Sequence, residues 1–433
     1  MKKNKFIKST MILIIGGFIT KILGMVIKIV MTRLVETEGI GLYMLINPTF
    51  VLLIAICTLG MPTAISKLVS EDKRNNKKLV FSAIPVTISI DILLMIVILS
   101  SAKFIANNLL HEPRSYFPIV SIGFVLPFIS ISSILRGYFF GKQRMFPHVI
   151  SNITEDVTRL ISIVLFTPLF LMKGLEFAVS FLVLSNIVSE LTSILILFFF
   201  LPKNFKLTKN DLTPSNSNIK DIMEISLPST ASRLIGSIGM FFEPIILTYF
   251  LTKLGYSNNF IVTEYGILNG YVMPLILLPS FFTGAISQAL LPVVSNYWAN
   301  HNKIFVKKRI KQAIFFSLLI GIPATLIFIF IPHIPLKLIY NTNEGIKYIK
   351  VLSVVCLLHY IQAPLTSTLQ AIGESKKAMK GTLVGMVLRT ISLIIFCILD
   401  FKLWSLVIAS GINIFYVTMH HIIIVKKRLN SPI

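Results

Sequence analysis

Residues 9–33 read STMILIIGGFITKILGMVIKIVMTR, and this stretch decides the fold class. Apart from Lys21, Lys28 and Arg33 it carries no charge, and it exceeds the about 20 mostly apolar residues a helix needs to cross a bilayer. The preceding MKKNKFIK is basic. A basic tail before an apolar run has the layout of a secretory leader, but no small-residue cleavage site follows and Lys21 interrupts the run. The sequence therefore predicts an uncleaved first span. Read outward, the same test finds further spans at 41–66, 79–100, 115–140, 148–171 and 174–201, then at 222–251, 265–295, 312–333, 348–372, 379–399 and 403–425. The expectation is an all-α polytopic membrane protein with twelve transmembrane helices, to be found as a multi-pass protein of the cytoplasmic membrane.

Composition excludes the alternatives. Of 433 residues, 55% are hydrophobic and 14% charged, against roughly 25% charged in soluble domains. That is too little polar surface to cover a water-soluble core and too much apolar surface for a disordered chain. The net charge is +23. Such a balance can signal nucleic acid, but the basic residues here sit in short clusters between apolar runs, which suits anionic membrane lipid instead. Of the 41 Lys and Arg, 26 fall in the N-terminal tail and in connections on that same side, nine on the other side and six within spans. Over loops this short the bias predicts an N-in, C-in orientation.

One connection differs. Residues 202–220, PKNFKLTKNDLTPSNSNIK, have linker composition. They divide the chain into a first six-helix bundle (1–201), a cytoplasmic linker (202–221) and a second six-helix bundle (222–433). Weak internal similarity agrees. LRGYFFGKQRM (135–145) and Arg159-Leu-Ile-Ser-Ile in the first half match LQAIGESKKAM (369–379) and Arg389-Thr-Ile-Ser-Leu in the second. Thr63-Ala-Ile-Ser66 likewise matches Gly284-Ala-Ile-Ser287. Six spans per half make these parallel repeats, an architecture that places substrate between the halves. Chance likeness among apolar sequences is the competing explanation.

Charges inside spans cost about 2.5–3.5 kcal/mol each on insertion scales, so they should face a cavity or a partner. Lys21 and Lys28 lie seven residues apart on one helical face, with Thr10, Gly17 and Gly24 on or beside it. This reads as a cationic, glycine-lined stripe; for Lys28 in particular, snorkelling to the interface is the alternative. In span seven, Ser226, Ser229, Arg233, Gly236, Met240 and Glu243 recur at helical spacing. Arg233 offers a permanently charged fork for phosphate or carboxylate, or pairs structurally with an acid on another span. Glu155 and Arg159 stand i,i+4 in span five beside Asp156, and a pair within that helix is the favoured reading. Asp91, Glu190 and Arg389 are the remaining candidates for interhelical pairing, a cavity or coupling, and Arg136 is expected to snorkel from the end of span four. Cys57, Cys356 and Cys397 read as packing residues, and the seven histidines show no ligand spacing. No Walker motif, catalytic constellation, metal cluster or cofactor motif is present, so the reading is not that of an enzyme.

The stretch ITKILGMVIKIVMTRLVETEGIGLYMLINPTFVLLIAICTLGMPTAISKLVSE (19–71), with its TRL, EGIGLY and LGMPTAISK elements, resembles the polysaccharide-transport branch of the multidrug/oligosaccharidyl-lipid/polysaccharide exporter superfamily. It is most similar there to the stage V sporulation protein B-like and MurJ-like flippases, and Leu135-Arg-Gly-Tyr-Phe-Phe-Gly141 looks like the same family. The resemblance implies two bundles around a central cavity and export of a lipid-linked anionic sugar by alternating access. It implies that Lys21 and Lys28 hold the pyrophosphate, with Lys where the family often has Arg. Lys67 matches a basic position at the cytoplasmic mouth, and Arg233 would contribute from the second bundle. Many members carry fourteen spans, the last two forming a lipid-tail groove, where twelve are expected here. Two other functions remain open: a multidrug cation antiporter, which would want a cavity acid such as Glu243 or Asp91, and a non-transporting scaffold that recruits cell-wall or spore-coat synthesis enzymes.

Overall fold

The computed structural model describes residues 2–71, 75–201 and 214–430, and over these the chain is helical throughout. Helix α1 (Lys2–Cys57) holds the first expected span and most of the second, joined across a kink at Glu36, whose φ of 55° departs from helical geometry. It stops at a break over 58–60, where Leu59 and Gly60 have φ of 43° and 60°, and α2 (Met61–Glu71) resumes. Helix α3 (Asn76–Phe104) starts where the Asn75 side chain accepts from the Lys77 and Lys78 amides, satisfying donors a helix start leaves open. There follow α4 (Tyr116–Gly141), α5 (Met145–Leu171), α6 (Leu175–Phe199) and α7 (Asn216–Lys253). Most of the expected linker, 202–213, lies outside the described residues.

The eighth span, expected unbroken over 265–295, is instead a series of pieces. These are α8 (Asn258–Gly266), a π-turn over Ile267–Val272, the short α9 (Met273–Ile276) and α10 (Leu278–Ala299). Pro274 and Pro279 account for the interruption, since proline removes a helical donor and clashes with the preceding turn. Then come α11 (Lys303–Phe330), a short α12 (His333–Tyr340) absent from the sequence reading, α13 (Ile346–Ala371), α14 (Ser375–Ile398) and α15 (Trp404–Asn430).

Among the described residues, nine helical segments are long and apolar enough to cross a membrane by length and composition, the first running 57 residues from Ile15 to Glu71. That length accommodates two crossings. The expected fifth and seventh spans are helices too, α5 and α7, with charged residues along them.

The chain forms two compact units, Met1–Phe241 and Phe242–Ile433, the division falling inside α7. Each unit is organised around its fourth expected span. In the first, α4 packs on α2, α3 and α6; in the second, α13 packs on α10, α11 and α15. These are the same partners by position in the half. The α2–α4 contact is close because Gly137 and Gly141, one turn apart, face the α2 backbone. A Cβ on Gly137 would sit 2.9 Å from the Pro62 carbonyl oxygen, and one on Gly141 2.7 Å from that of Ser66. Paired small residues of this spacing let helices approach in lipid, where dispersion replaces the hydrophobic drive. Ile65, Leu68, Ile134, Phe139 and Ile222 are buried around this seam. In the second unit Val294, Ile310, Leu365, Leu369 and Val425 play the same part.

Two ion pairs repeat between the units. Glu38, which opens the second span, meets Arg114 ahead of the fourth at 2.6 Å. Glu264, which opens the eighth, meets Lys347 at the start of the tenth at 3.1 Å. Arg114 is also gripped by Glu112, at 2.7 Å.

Candidate functional site

The first half of α1 is two-faced. Ile27 and Met31 are buried, and Gly16 packs against Val149 of α5. On another face Gly17, Lys21 and Gly24 are exposed and Lys28 is half-buried. A Cβ on Gly17 or Gly24 would meet nothing within 4 Å. Lys21 and Lys28 thus lie two turns apart on a helix face, with open space at Gly17 and Gly24 beside them on that face.

The break after α1 assembles a second group. Thr58 donates to the Ile54 carbonyl at 2.8 Å and accepts from the Arg233 guanidinium at 3.3 Å. Arg233 is exposed on α7, and among the described residues no acid lies within salt-bridge distance of it. Its expected structural partner is therefore not found there. Next to the break, Asp91 on α3 is fully buried and accepts from Ser130 at 2.9 Å, with the same hydroxyl 3.3 Å from the Cys57 carbonyl. Asp91 thus belongs to the packing of α1, α3 and α4. Lys67 is exposed on α2, beyond the break.

The remaining candidates are mostly held by partners. Arg136 does not snorkel. It forms a short ion pair with Glu155, reaches Glu190 at 3.1 Å and donates to Ser193 Oγ at 3.0 Å. Glu155 is therefore taken by α4 rather than by Arg159 on its own helix. An interhelical guanidinium shared by two carboxylates outcompetes an i,i+4 contact because one buried cation there offsets part of the burial cost of both acids. Arg159 instead reaches the Tyr43 hydroxyl at 3.4 Å, and Asp156 is half-buried beside it. In the second unit, Glu243 pairs with Arg389 at 2.5 Å and accepts from the Tyr265 hydroxyl at 3.1 Å. The candidate residues thus separate by environment. Glu155, Glu190, Glu243 and Arg389 are ion-paired within their own units, whereas Lys21, Lys67 and Arg233 stand at exposed positions.

Sequence reasoning missed the weight of Arg136, which ties α4 to α5 and α6, and a polar line on α13 formed by His359, Gln362, Thr366 and Gln370. The signal for that line was present: polar residues three to four apart along an otherwise apolar span.

The chain matches the family model described as "Polysaccharide biosynthesis protein" over residues 6–298. It belongs to that family. Residues 267–433 also match the model for the lipid II flippase MurJ. Across 90% of its length the chain is 36% identical to stage V sporulation protein B of Bacillus subtilis, covering 77% of that protein. It is 22% identical to the lipid II flippase MurJ of the same organism, again over 90% of this chain and 76% of the relative. The fold is similar to that of an inward-facing multidrug-resistance MATE transporter, with TM-score 0.73, 17% identity, and coverage of 95% of this chain and 94% of the other. The chain is thus a multi-pass membrane protein of the stage V sporulation protein B-like and MurJ-like branch of that exporter superfamily, a group of transporters.

Proposed function

We propose that the chain flips an undecaprenyl-pyrophosphate-linked sugar across the cytoplasmic membrane by alternating access, with lipid II as the first substrate to test. In this reading twelve spans form two six-helix bundles, residues 1–201 and 222–433. The linker and both termini are cytoplasmic, and Lys67 stands at the cytoplasmic mouth. The observation that carries the proposal is Arg233: an exposed guanidinium on a span, bonded to a threonine hydroxyl and, among the described residues, without an acid within salt-bridge distance. With the Lys21–Lys28 stripe it offers the charge a pyrophosphate needs, and a guanidinium fork grips phosphate in two places. A lipid II flippase among the relatives supports the same reading.

A cation antiporter is the weaker reading because its best acid, Glu243, is neutralised by Arg389. The scaffold reading draws only on the 202–220 linker and on sporulation relatives.

The test is ligand-induced thermal stabilisation of purified protein by lipid II and by cationic dyes, with a flipping assay in liposomes. Lipid II should stabilise the wild type, Arg233→Glu should abolish the effect, and Arg233→Lys should reduce it. Lys21→Ala should stop flipping while the protein remains inserted and folded. Stabilisation by dyes alone, insensitive to Arg233→Glu, would transfer the assignment to the antiporter.

A further inference from the structure

The second unit contains a cavity of about 310 Å³ between α10 and α13. That is near the lower end of small-molecule sites, which run about 300–1,000 Å³ and are mostly apolar. This one is not. Of its lining residues only Ala363 is apolar, and none of the others carries a formal charge: they are serines, threonines, glutamines and His359. A run of neutral hydroxyls and amides within membrane helices is costly unless something satisfies it, so it marks a water-filled or ligand-filled space.

The hydrogen bonds say which groups remain for a ligand. Ser287 donates to the Ala363 carbonyl at 2.8 Å and also contacts Ser367, so these residues tie α10 to α13. Thr366 bonds the Gln362 carbonyl at 2.9 Å and contacts His421 at 3.2 Å. His359 Nδ1 lies 2.8 Å from Gln362 Oε1. That contact makes Nδ1 the donor, leaving His359 Nε2 to accept and the Gln362 amide nitrogen to donate. One turn from Thr283, the Ser280 hydroxyl is buried and, among the described residues, has no hydrogen-bond partner. The exposed Gln370 closes the line. Alternating neutral donors and acceptors suit vicinal hydroxyls and an acetamido group. They lack the cations a pyrophosphate requires and the apolar walls a prenyl chain or a lipophilic drug requires.

We propose that this cavity is a subsite for the uncharged, hydroxyl-rich sugar ring of the transported lipid. The assignment rests on the reading that the substrate is a lipid-linked saccharide, and it separates recognition of the sugar from recognition of the phosphate. Ser280, Thr283, Gln362 and Gln370 are its specificity residues.

The test is equilibrium binding of two probes, lipid II and undecaprenyl pyrophosphate, to the full chain in lipid nanodiscs. Thr283→Val, Gln362→Leu and Gln370→Ala are compared with Arg233→Gln. Each of the first three should weaken lipid II about tenfold, the scale of one lost hydrogen bond with its partner left unpaired. Undecaprenyl pyrophosphate should stay within about twofold of its wild-type affinity for the same variants. Arg233→Gln should weaken both probes. Because Gln370 is exposed, its variant guards against a folding artefact at the two more enclosed positions. Lipid II affinity unchanged in all three variants, or both probes weakened equally, would overturn the subsite while the pyrophosphate reading stands. Loss of the Arg233 effect on both probes, or a wild type that binds neither, would overturn the parent reading and the subsite with it.

Discussion

Arg389→Met offers the sharpest check on the separation of structural from functional charge. Arg389 and Glu243 are 20% and 10% exposed and 2.5 Å apart. Removing the guanidinium leaves a carboxylate in a largely desolvated place. Breaking a buried pair from one side costs about 3–5 kcal/mol. The Tyr265 hydrogen bond to Glu243 survives and holds back about 1 kcal/mol of that loss, so about 3 kcal/mol is expected. The double variant Arg389→Met/Glu243→Gln removes both charges and keeps an acceptor for Tyr265. It should return to within about 1 kcal/mol of wild type, because an apolar or neutral replacement of a whole pair is nearly free. The assay is unfolding by SDS titration in mixed micelles, run as a double-mutant cycle. A single variant within about 0.5 kcal/mol of wild type, or a double variant equal to the sum of its singles, would refute the pairing argument. Glu243→Gln should also leave lipid-pyrophosphate binding intact, where a cation antiporter that used this acid would lose its coupling.

Two further outcomes follow from the fold. Gly137→Ala forces a methyl group against the Pro62 backbone, which cannot rotate aside as a side chain can. It should destabilise the first unit by about 1–3 kcal/mol, read in the same titration, and an unshifted curve would show that α2 and α4 slide apart at no cost. A cysteine placed at Ser217 should resist a membrane-impermeant reagent applied to intact cells and react after permeabilisation; labelling without permeabilisation would reverse the proposed orientation.

The helices were legible because hydropathy over a long window is a property of local sequence, and lipid forces the backbone to satisfy itself within each segment. Breaks were harder to place. Pro274 and Pro279 could have announced the interruption of the eighth span, but Pro48, Pro85 and Pro127 lie inside helices that continue. The glycine pair within the motif at 135–141 was visible as a resemblance, and its physical role emerged only when α2 was seen against it. For charges, a single sequence exposes neighbours along a helix and hides those across helices. Glu155 and Arg159 looked like partners for that reason, although Arg136 holds Glu155. The shared face of Lys21 and Lys28 on α1 was legible because it depends on helical period alone.

The duplicated ion pairs at the starts of the even-numbered spans bear on how the chain is made. Glu38 and Arg114 are 76 residues apart, and Glu264 and Lys347 are 83 apart. Each latch therefore closes within its own half. The entropy of closing such a loop depends only weakly on its length, so the two closures are matched tasks. During synthesis the first latch can engage once Arg114 has been delivered, long before Glu264 exists. Domains assembled from the N-terminus in this way fold as successive units. The second half then repeats a solved problem, and an error in one latch during biogenesis stays confined to the half that carries it.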